Sequence, residues 1–342
     1  VRGAVLRVLD GGFLTTVQDA GRPGYQELGV SACGAMDAFS YFVANSLVGS
    51  PPGAAVLEAT LYGPVLEALE HLSLAVTGAE TQVTCDGRPV PMWEAFFLPR
   101  GARLSLGGYT AGARCYIAIK GGIDVPLVMN SRSTDLRTGF GGLEGRRLGP
   151  GDLLRPCDDP TPGPEVGNRL PQALRPRLGP SQQVRVIMGP EADHFRQEGI
   201  DTLLGSEYTL TQKVNRMGCR LDGPTIRHSE KGPNIISNAV PDGSIQVPGG
   251  EKPILMLKDS QTTGGYPKIA VVTSPDLDRC GQVVPGNSLF FQAVSLEDAH
   301  AAYREYRGFL DDPPLERPRG MRVFMMRLRG AGDFHVTLEP SG

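Results

Sequence analysis

Glycine and proline interrupt this chain so often that few long helices can fit. There are 45 glycines and 29 prolines in 342 residues, well above the roughly 12% the two contribute to an average chain. In a helix interior glycine costs about 1 kcal/mol and proline about 3; both serve turns. Between them lie short β-branched and aromatic runs. In the first half these are Ala4–Leu9, Val65–Glu67, Leu72–Thr77, Gln82–Cys85, Ala95–Leu98, Arg103–Leu106 and Arg114–Ile119. In the second they are Gln183–Met188, Tyr208–Leu210, Ile245–Val247, Ile254–Lys258, Ile269–Thr273 and Ser288–Ala293. Such runs read as strands, so the chain is predicted to be mainly β. A helical bundle and a regular doubly wound α/β fold are disfavoured. Three helices are expected: Met36–Val48, ended by Gly49; Glu191–Leu204, with Pro190 at its first turn; and Ser295–Phe309. In the last, Ser295 and Asp298 resemble a capping box, and Leu296, Ala299, Ala302, Tyr303 and Tyr306 share one face.

Seven prolines between Arg155 and Gln183 mark an irregular linker. The predicted organisation is a first domain over 1–154, a linker over 155–183, a second domain over 184–310 and a tail over 311–342. The tail alternates enough for a hairpin, Met321–Leu328 against Asp333–Leu338, around Arg329-Gly-Ala-Gly332; a frayed end is the favoured reading, with an added edge or a partner contact as alternatives. The halves echo each other: Leu148–Leu154 and Val283–Leu289 each place a Pro-Gly-Asx turn before a final strand. Two barrels of one type in tandem would explain the echo.

Hydrophobic residues make up 40% and charged residues 21%, enough to bury a core. A net charge of −3 and a pI near 6.0 argue against a nucleic-acid grip. No apolar run reaches the ~20 residues of a membrane span, and Val1–Gly12 lacks the pattern of a signal peptide. The six cysteines are scattered and read as free thiols, so a cytoplasmic location is expected. The five histidines show no metal-ligand spacing, and no metal site is predicted. Also missing are a G-x-x-x-x-G-K-[ST] phosphate loop, a G-x-S-x-G elbow and an Ala-Met-Lys-Met biotin-attachment sequence.

Four polar, glycine-punctuated segments carry the chemistry. Leu14–Asp37 holds Gln18, Asp19, Arg22, Tyr25, Gln26 and Asp37; an Asp19–Arg22 pair bracing a turn is the structural alternative to a ligand loop. In Gly121–Gly145, Arg132 can clamp a carboxylate or phosphate with Ser131, Ser133 and Thr134 beside it. Equally, Asp135 can pair with Arg132 or Arg137 in a surface turn. In Asn215–Gly223, Arg216 falls at a turn, where a solvated side chain is the common outcome. The fourth segment, Lys258–Ile269, follows Gln246-Val-Pro-Gly-Gly250. Its Gln261, Thr262 and Thr263 can read an amide or carboxylate, and Lys268 can neutralise developing negative charge.

Together these segments resemble a known family. Gly12–Asp37 is similar to the opening of the C subunits of 5-oxoprolinase. Their family also covers antagonists of a sporulation-kinase inhibitor, the second subunit of allophanate hydrolase and half of the urea carboxylase carboxyltransferase domain. Gly34-Ala-Met-Asp37, Ser131-Arg-Ser-Thr-Asp-Leu136, Gly139–Gly142, Arg216-Met-Gly218, Ile245-Gln-Val-Pro248 and Gln261-Thr-Thr-Gly-Gly-Tyr-Pro267 follow in family order, within a match from Ala4 to Tyr306. The resemblance implies two tandem cyclophilin-like β-barrels. It also implies a hetero-complex with a B-type cyclophilin-like protein and an A-type lactam-utilisation protein, in which ATP drives the opening of 5-oxoproline to glutamate. Arg132, Asp135, Gln261, Tyr266 and Lys268 would then be catalytic. Asp19, Arg22, Gln26, Asp37, Ser133, Arg216, Gln246 and Thr262 would bind substrate. Two other activities are implied: transfer of a carboxyl group from carboxybiotin on another chain to a urea-like amide, and non-catalytic antagonism of a histidine-kinase inhibitor. Ser260 departs from the family's Arg or Ala at that position, and the tail beyond Asp312 does not resemble the family.

Overall fold

The computed structural model describes residues 3–317 and the backbone of two further strands, Arg322–Leu328 and Gly332–Leu338. The fold is mainly β, two barrel-like units with four α-helices among the described residues.

Two long strands, Leu72–Cys85 and Arg103–Ile119, organise the first unit and pair antiparallel through several bulges. The sequence reading split each of them in two. Their internal glycines mark bulges rather than ends. At Gly78, where φ is +95°, a Cβ would run into the Arg114 carbonyl oxygen, so two backbones touch where a strand seems to break. Leu14–Gln18 and Val56–Thr60, not foreseen as strands, pair with each other and join the sheet through Arg103–Ile119. Leu6–Asp10 lies between Val65–Ala68 and Leu153–Pro156. Their inward residues, among them Leu6, Leu57, Leu66, Leu74 and Ile117, form one core. Helix α1 (Ala38–Leu47) packs Tyr41, Val43, Ala44 and Leu47 against Ala75, Tyr116 and Trp93.

Residues 157–180 hold a single 3-10 turn, Gln172–Leu174, yet Leu170 is fully buried beside Trp93 and α1. The proline-rich segment therefore lies against the first unit. In the second unit seven strands close on themselves. Their order is Ser181–Met188, Lys268–Val272, Ser244–Gln246, Ile254–Met256, Gly218–Asp222, Glu207–Asn215 and Ser288–Ala293. The seam that joins last to first is parallel; its other neighbours pair antiparallel. Val186, Leu221, Ile245, Leu255 and Phe291 fill the barrel.

The helix expected at Glu191 starts later, as α2 (Gln197–Gly205), after a 3-10 turn at Ala192–His194. Phe195 and Arg196 are extended between them, because the Phe195 ring is buried in the barrel core and its backbone bridges to His228. Helix α3 (Ser274–Gln282) was not foreseen: it buries Asp276, Asp278 and Gln282 and so shows no apolar stripe. Thr273 before Pro275 was its start signal. Helix α4 (Leu296–Asp311) begins as expected. Ser295 Oγ accepts the Asp298 N–H at 3.0 Å and donates to Asp298 Oδ2 at 2.7 Å. In the tail, Arg322–Leu328 pairs antiparallel with Gly332–Leu338; the residues between, 329–331, lie outside the described residues. All six cysteines are free. Among the described residues no helix is long and apolar enough to cross a membrane.

Candidate functional site

The loop after Leu14–Gln18 and the 128–142 loop are tied together by Asp19. Its Oδ1 accepts Ser131 Oγ (2.6 Å), Ser133 Oγ (2.5 Å) and the Gly21 N–H (2.8 Å), and its Oδ2 accepts the Arg132 N–H (2.5 Å). A carboxylate so fully used is a structural hub and has little capacity left for substrate. The anticipated Asp19–Arg22 pair is not formed. Arg22 is 1% exposed, donates to the Ser133 carbonyl and lies over the Phe140 ring at 4.8 Å. Nor does Asp135 pair with a guanidinium: its Oδ1 accepts the backbone N–H groups of Arg137 and Thr138. Arg132 reaches Asp124 instead, at 3.5 Å.

Arg216 corrects the sequence reading most. It does occupy a turn, between Glu207–Asn215 and Gly218–Asp222, but it is 5% exposed and bolts the units together. It donates to both Asp259 oxygens (2.8 and 3.0 Å), to the Gly34 carbonyl (2.6 Å) and to Glu58 of the first unit. Glu58 also accepts the Tyr116 hydroxyl (2.9 Å) and the Met36 N–H (2.8 Å), with Arg114 at 3.6 Å. Burial would raise the Glu58 carboxyl, but the Arg216 and Arg114 guanidiniums outweigh it and hold Glu58 below the usual carboxylate range. Glu58 was missed because the strand carrying it was missed.

A second junction lies at the start of α1. Asp37 caps the helix, accepting the Ser40 N–H at 2.9 Å, and takes Gln282 Nε2 from α3 at 2.7 Å. Asp278 of α3 accepts the N–H groups of Ala38 (2.7 Å) and Phe39 (3.2 Å), and the Tyr306 hydroxyl from α4 donates to it. A second-unit carboxylate thus meets the positive end of a first-unit helix. Burial, then the nearby Asp37, pushes the Asp278 carboxyl up to about 8; Tyr306, the Ala38 N–H and Lys258 oppose this. Asp37 is raised as well, chiefly by burial.

Between the unfolded value of 3.8 and about 8, folded Asp278 holds a proton that the unfolded chain has lost. Its contribution is fully present below the unfolded value and is lost as pH rises through about 8. Glu58 acts oppositely, its share being lost in acid. Urea midpoints measured at several pH values between about 6 and 9 should therefore fall with rising pH, and Asp278→Asn should flatten that slope. An unchanged slope in the variant would remove Asp278 as the cause.

Between the two junctions a cleft of about 390 Å³ separates the units. Gln26 and Ser31 line it from the first, and Lys258, Ser260 and Thr262 from the second. Ser31 Oγ donates to the Ser260 carbonyl at 2.7 Å, so position 260 serves this contact through its main chain. Gln261 is half-buried between two lining residues. The next residues, Thr263–Gly264, leave the cleft and pair with Asn238–Ala239. Beyond it, Gln246 donates to the Tyr266 carbonyl at 3.3 Å, and Lys268 Nζ lies 3.1 Å from Glu191. Tyr266, Lys268 and Gln246 do not line the cleft. Of the expected site residues, the cleft brings together Gln26 and Thr262, with Asp37 beside its Asp278 wall. Asp19, Arg22, Arg132, Ser133 and Asp135 form the separate knot in the first unit. Sequence reasoning missed Asp278, Tyr306 and Glu191; a buried carboxylate on a polar helix leaves no periodic signal.

Residues 28–293, most of the chain, match the model of the carboxyltransferase domain, subdomain A and B. The chain belongs to that family. It is 36% identical over 309 residues to the 5-oxoprolinase C subunit of Escherichia coli, covering 90% of this chain and 97% of that protein. The corresponding 5-oxoprolinase C subunit of Haemophilus influenzae is 34% identical, with 90% and 97% covered. Among solved structures, the Kluyveromyces lactis urea amidolyase superposes with a TM-score of 0.86 at 29% identity, over 95% of this chain and 22% of that one.

Proposed function

We propose that this chain is the C-type subunit of an ATP-dependent 5-oxoprolinase complex, working in the cytoplasm with a B-type cyclophilin-like protein and an A-type lactam-utilisation protein. The observation that carries this reading is the similarity to the 5-oxoprolinase C subunits along nearly the whole of both chains. The cleft supports it: about 390 Å³ suits a small lactam, and Gln26 and Thr262 offer an amide and a hydroxyl group to hold one. ATP would supply the activation of the stable lactam carbonyl in the complex. The Gly139–Gly145 segment offers the phosphates of ATP few donors, because most of its backbone N–H groups are spent within the loop: Gly139 on Asp135 (2.9 Å), Phe140 on Asp135 (3.3 Å), Gly142 on Arg132 (3.1 Å) and Gly145 on Gly141 (2.7 Å). This chain's part is to bind and orient the amide between its units.

A second reading, carboxyl transfer from carboxybiotin on another chain to a urea-like amide, is favoured by the fit to the urea amidolyase. Turnover separates the two. The chain would be co-produced with its partner proteins and glutamate followed after adding 5-oxoproline and ATP. Glutamate is expected only when this chain is present. Gln26→Ala and Thr262→Ala, at two cleft-lining residues, should each lower turnover about tenfold or more without unfolding the chain, the loss expected for a positioned polar group. A well-formed complex that makes no glutamate would sink the 5-oxoprolinase reading; turnover unchanged in both variants would remove these residues from the site.

A further inference from the structure

A larger cavity, of about 720 Å³, shares Asp278 and Tyr306 with the cleft as a common wall. It takes no part in the lactam binding proposed for the cleft. Its lining brings four arginines, Arg175, Arg177, Arg185 and Arg279, together with four carboxylates, Asp37, Asp276, Asp278 and Glu305. Arg185 is neutralised by a two-pronged contact with Asp276, at 2.8 and 2.9 Å. Two others are held by backbone carbonyls. Arg175 gives Nε and Nη2 to the Leu170 carbonyl (3.1 and 3.0 Å), and Arg279 gives Nη1 to the Gln183 carbonyl (3.1 Å). Arg177 is exposed.

The remaining acids do not cancel the charge of these arginines. Asp37 and Asp278 are buried and spent on other donors, Asp37 on Ser40 and Gln282, Asp278 on the Ala38 and Phe39 N–H groups and the Tyr306 hydroxyl, and burial raises both carboxyls. That leaves Glu305 as the one lining carboxylate outside the Asp276 pair and this raised pair. The cavity also has an apolar side. Phe39 and Phe309 stack at 5.0 Å and 23°, and Leu178 packs so closely on Gly112 that a Cβ there would meet it at 2.6 Å. Arg177 and Arg279, without a carboxylate partner and lining the same small-molecule-sized space as two stacked aromatic rings, are the pattern of a site for an organic anion.

We propose that this cavity binds a nucleotide-sized organic anion, its phosphate or carboxylate end on Arg177 and Arg279 and its apolar part on Phe39 and Phe309. The proposal does not depend on the reaction assigned above and is tested by binding, without turnover. Calorimetry on the full chain at low salt would use ATP, pyrophosphate and citrate. The single tryptophan, Trp93, lies 6.2 Å from Phe39 and gives a fluorescence readout of the same event. Saturable binding of ATP or pyrophosphate is expected, weakened by added salt and weakened about tenfold or more in an Arg177→Ala, Arg279→Ala double variant. Binding of citrate without the phosphates would support the site and identify its ligands as carboxylates. The exposed Arg103, outside the cavity, supplies the control Arg103→Ala, which should bind as the parent does. No binding of any of the three anions at millimolar concentration would overturn the proposal. So would equal affinity in the double variant, or equal weakening in the control.

Discussion

Arg216→Ala should cost this protein about 3–5 kcal/mol of stability, the range for breaking a buried ion pair by removing one partner. The alanine would leave Glu58 and Asp259, 1% and 3% exposed at their side chains, without their shared cation. Both would be forced to take up protons or to admit water. Because Glu58 belongs to the first unit and Asp259 to the second, the loss falls on the junction between them. Unfolding followed by Trp93 fluorescence, which reports the first unit, should then separate from a probe of the second. A single coincident transition, shifted by less than about 1 kcal/mol, would show that Arg216 is not the bolt. The quadruple replacement Glu58→Gln, Asp259→Asn, Arg216→Met, Arg114→Met removes the buried charges together, including the Arg114 guanidinium 3.6 Å from Glu58. It should recover much of the loss, since a neutral junction avoids their desolvation.

Asp19→Ala has the second largest expected effect. It strands the buried hydroxyls of Ser131 and Ser133 and the N–H of Arg132, at about 1–3 kcal/mol for each group left unsatisfied. A loss of about 3–4 kcal/mol is expected, with the 128–142 loop becoming sensitive to limited proteolysis. Asp19→Asn keeps the shape but offers one acceptor oxygen in place of two, so it should fall between parent and alanine. A loop as protease-resistant as the parent's in Asp19→Ala would mean that the loop is held by other contacts.

The mainly β character was legible because glycine and proline act locally: each forbids or demands a backbone conformation whatever surrounds it. The Ser295 cap was legible for the same reason. The bulged long strands were not, because a glycine that ends a strand and one that lets two backbones touch look alike in sequence. Gly78 and the Arg114 carbonyl show the difference only once both strands are placed. The polar segments were correctly singled out as unusual, but their purpose was not readable. Asp19 and Arg216 are rich in hydrogen bonds because they are buried, and burial of a charge depends on partners distant in the chain. Arg216 meets Glu58 across 158 positions. Helix α3 stayed hidden because its buried face is acidic and amide-bearing, which reads as a solvated loop.

The parallel seam between Ser181–Met188 and Ser288–Ala293 bears on how the molecule comes into being. The first strand of that barrel leaves the ribosome about a hundred residues before the strand that seals it. At roughly 5–20 residues per second this is an interval of about 5–20 s. For that time Val184 and Val186 sit on an open edge, and the first unit, already fully synthesised, shows water the face that Arg216 and Asp278 will later cover. Glu58 then keeps Tyr116, the Met36 N–H and Arg114 but lacks the Arg216 guanidinium, and Asp37 keeps Ser40 but lacks Gln282. The first half waits with its junction carboxylates half-partnered, and the arrival of the second half completes them.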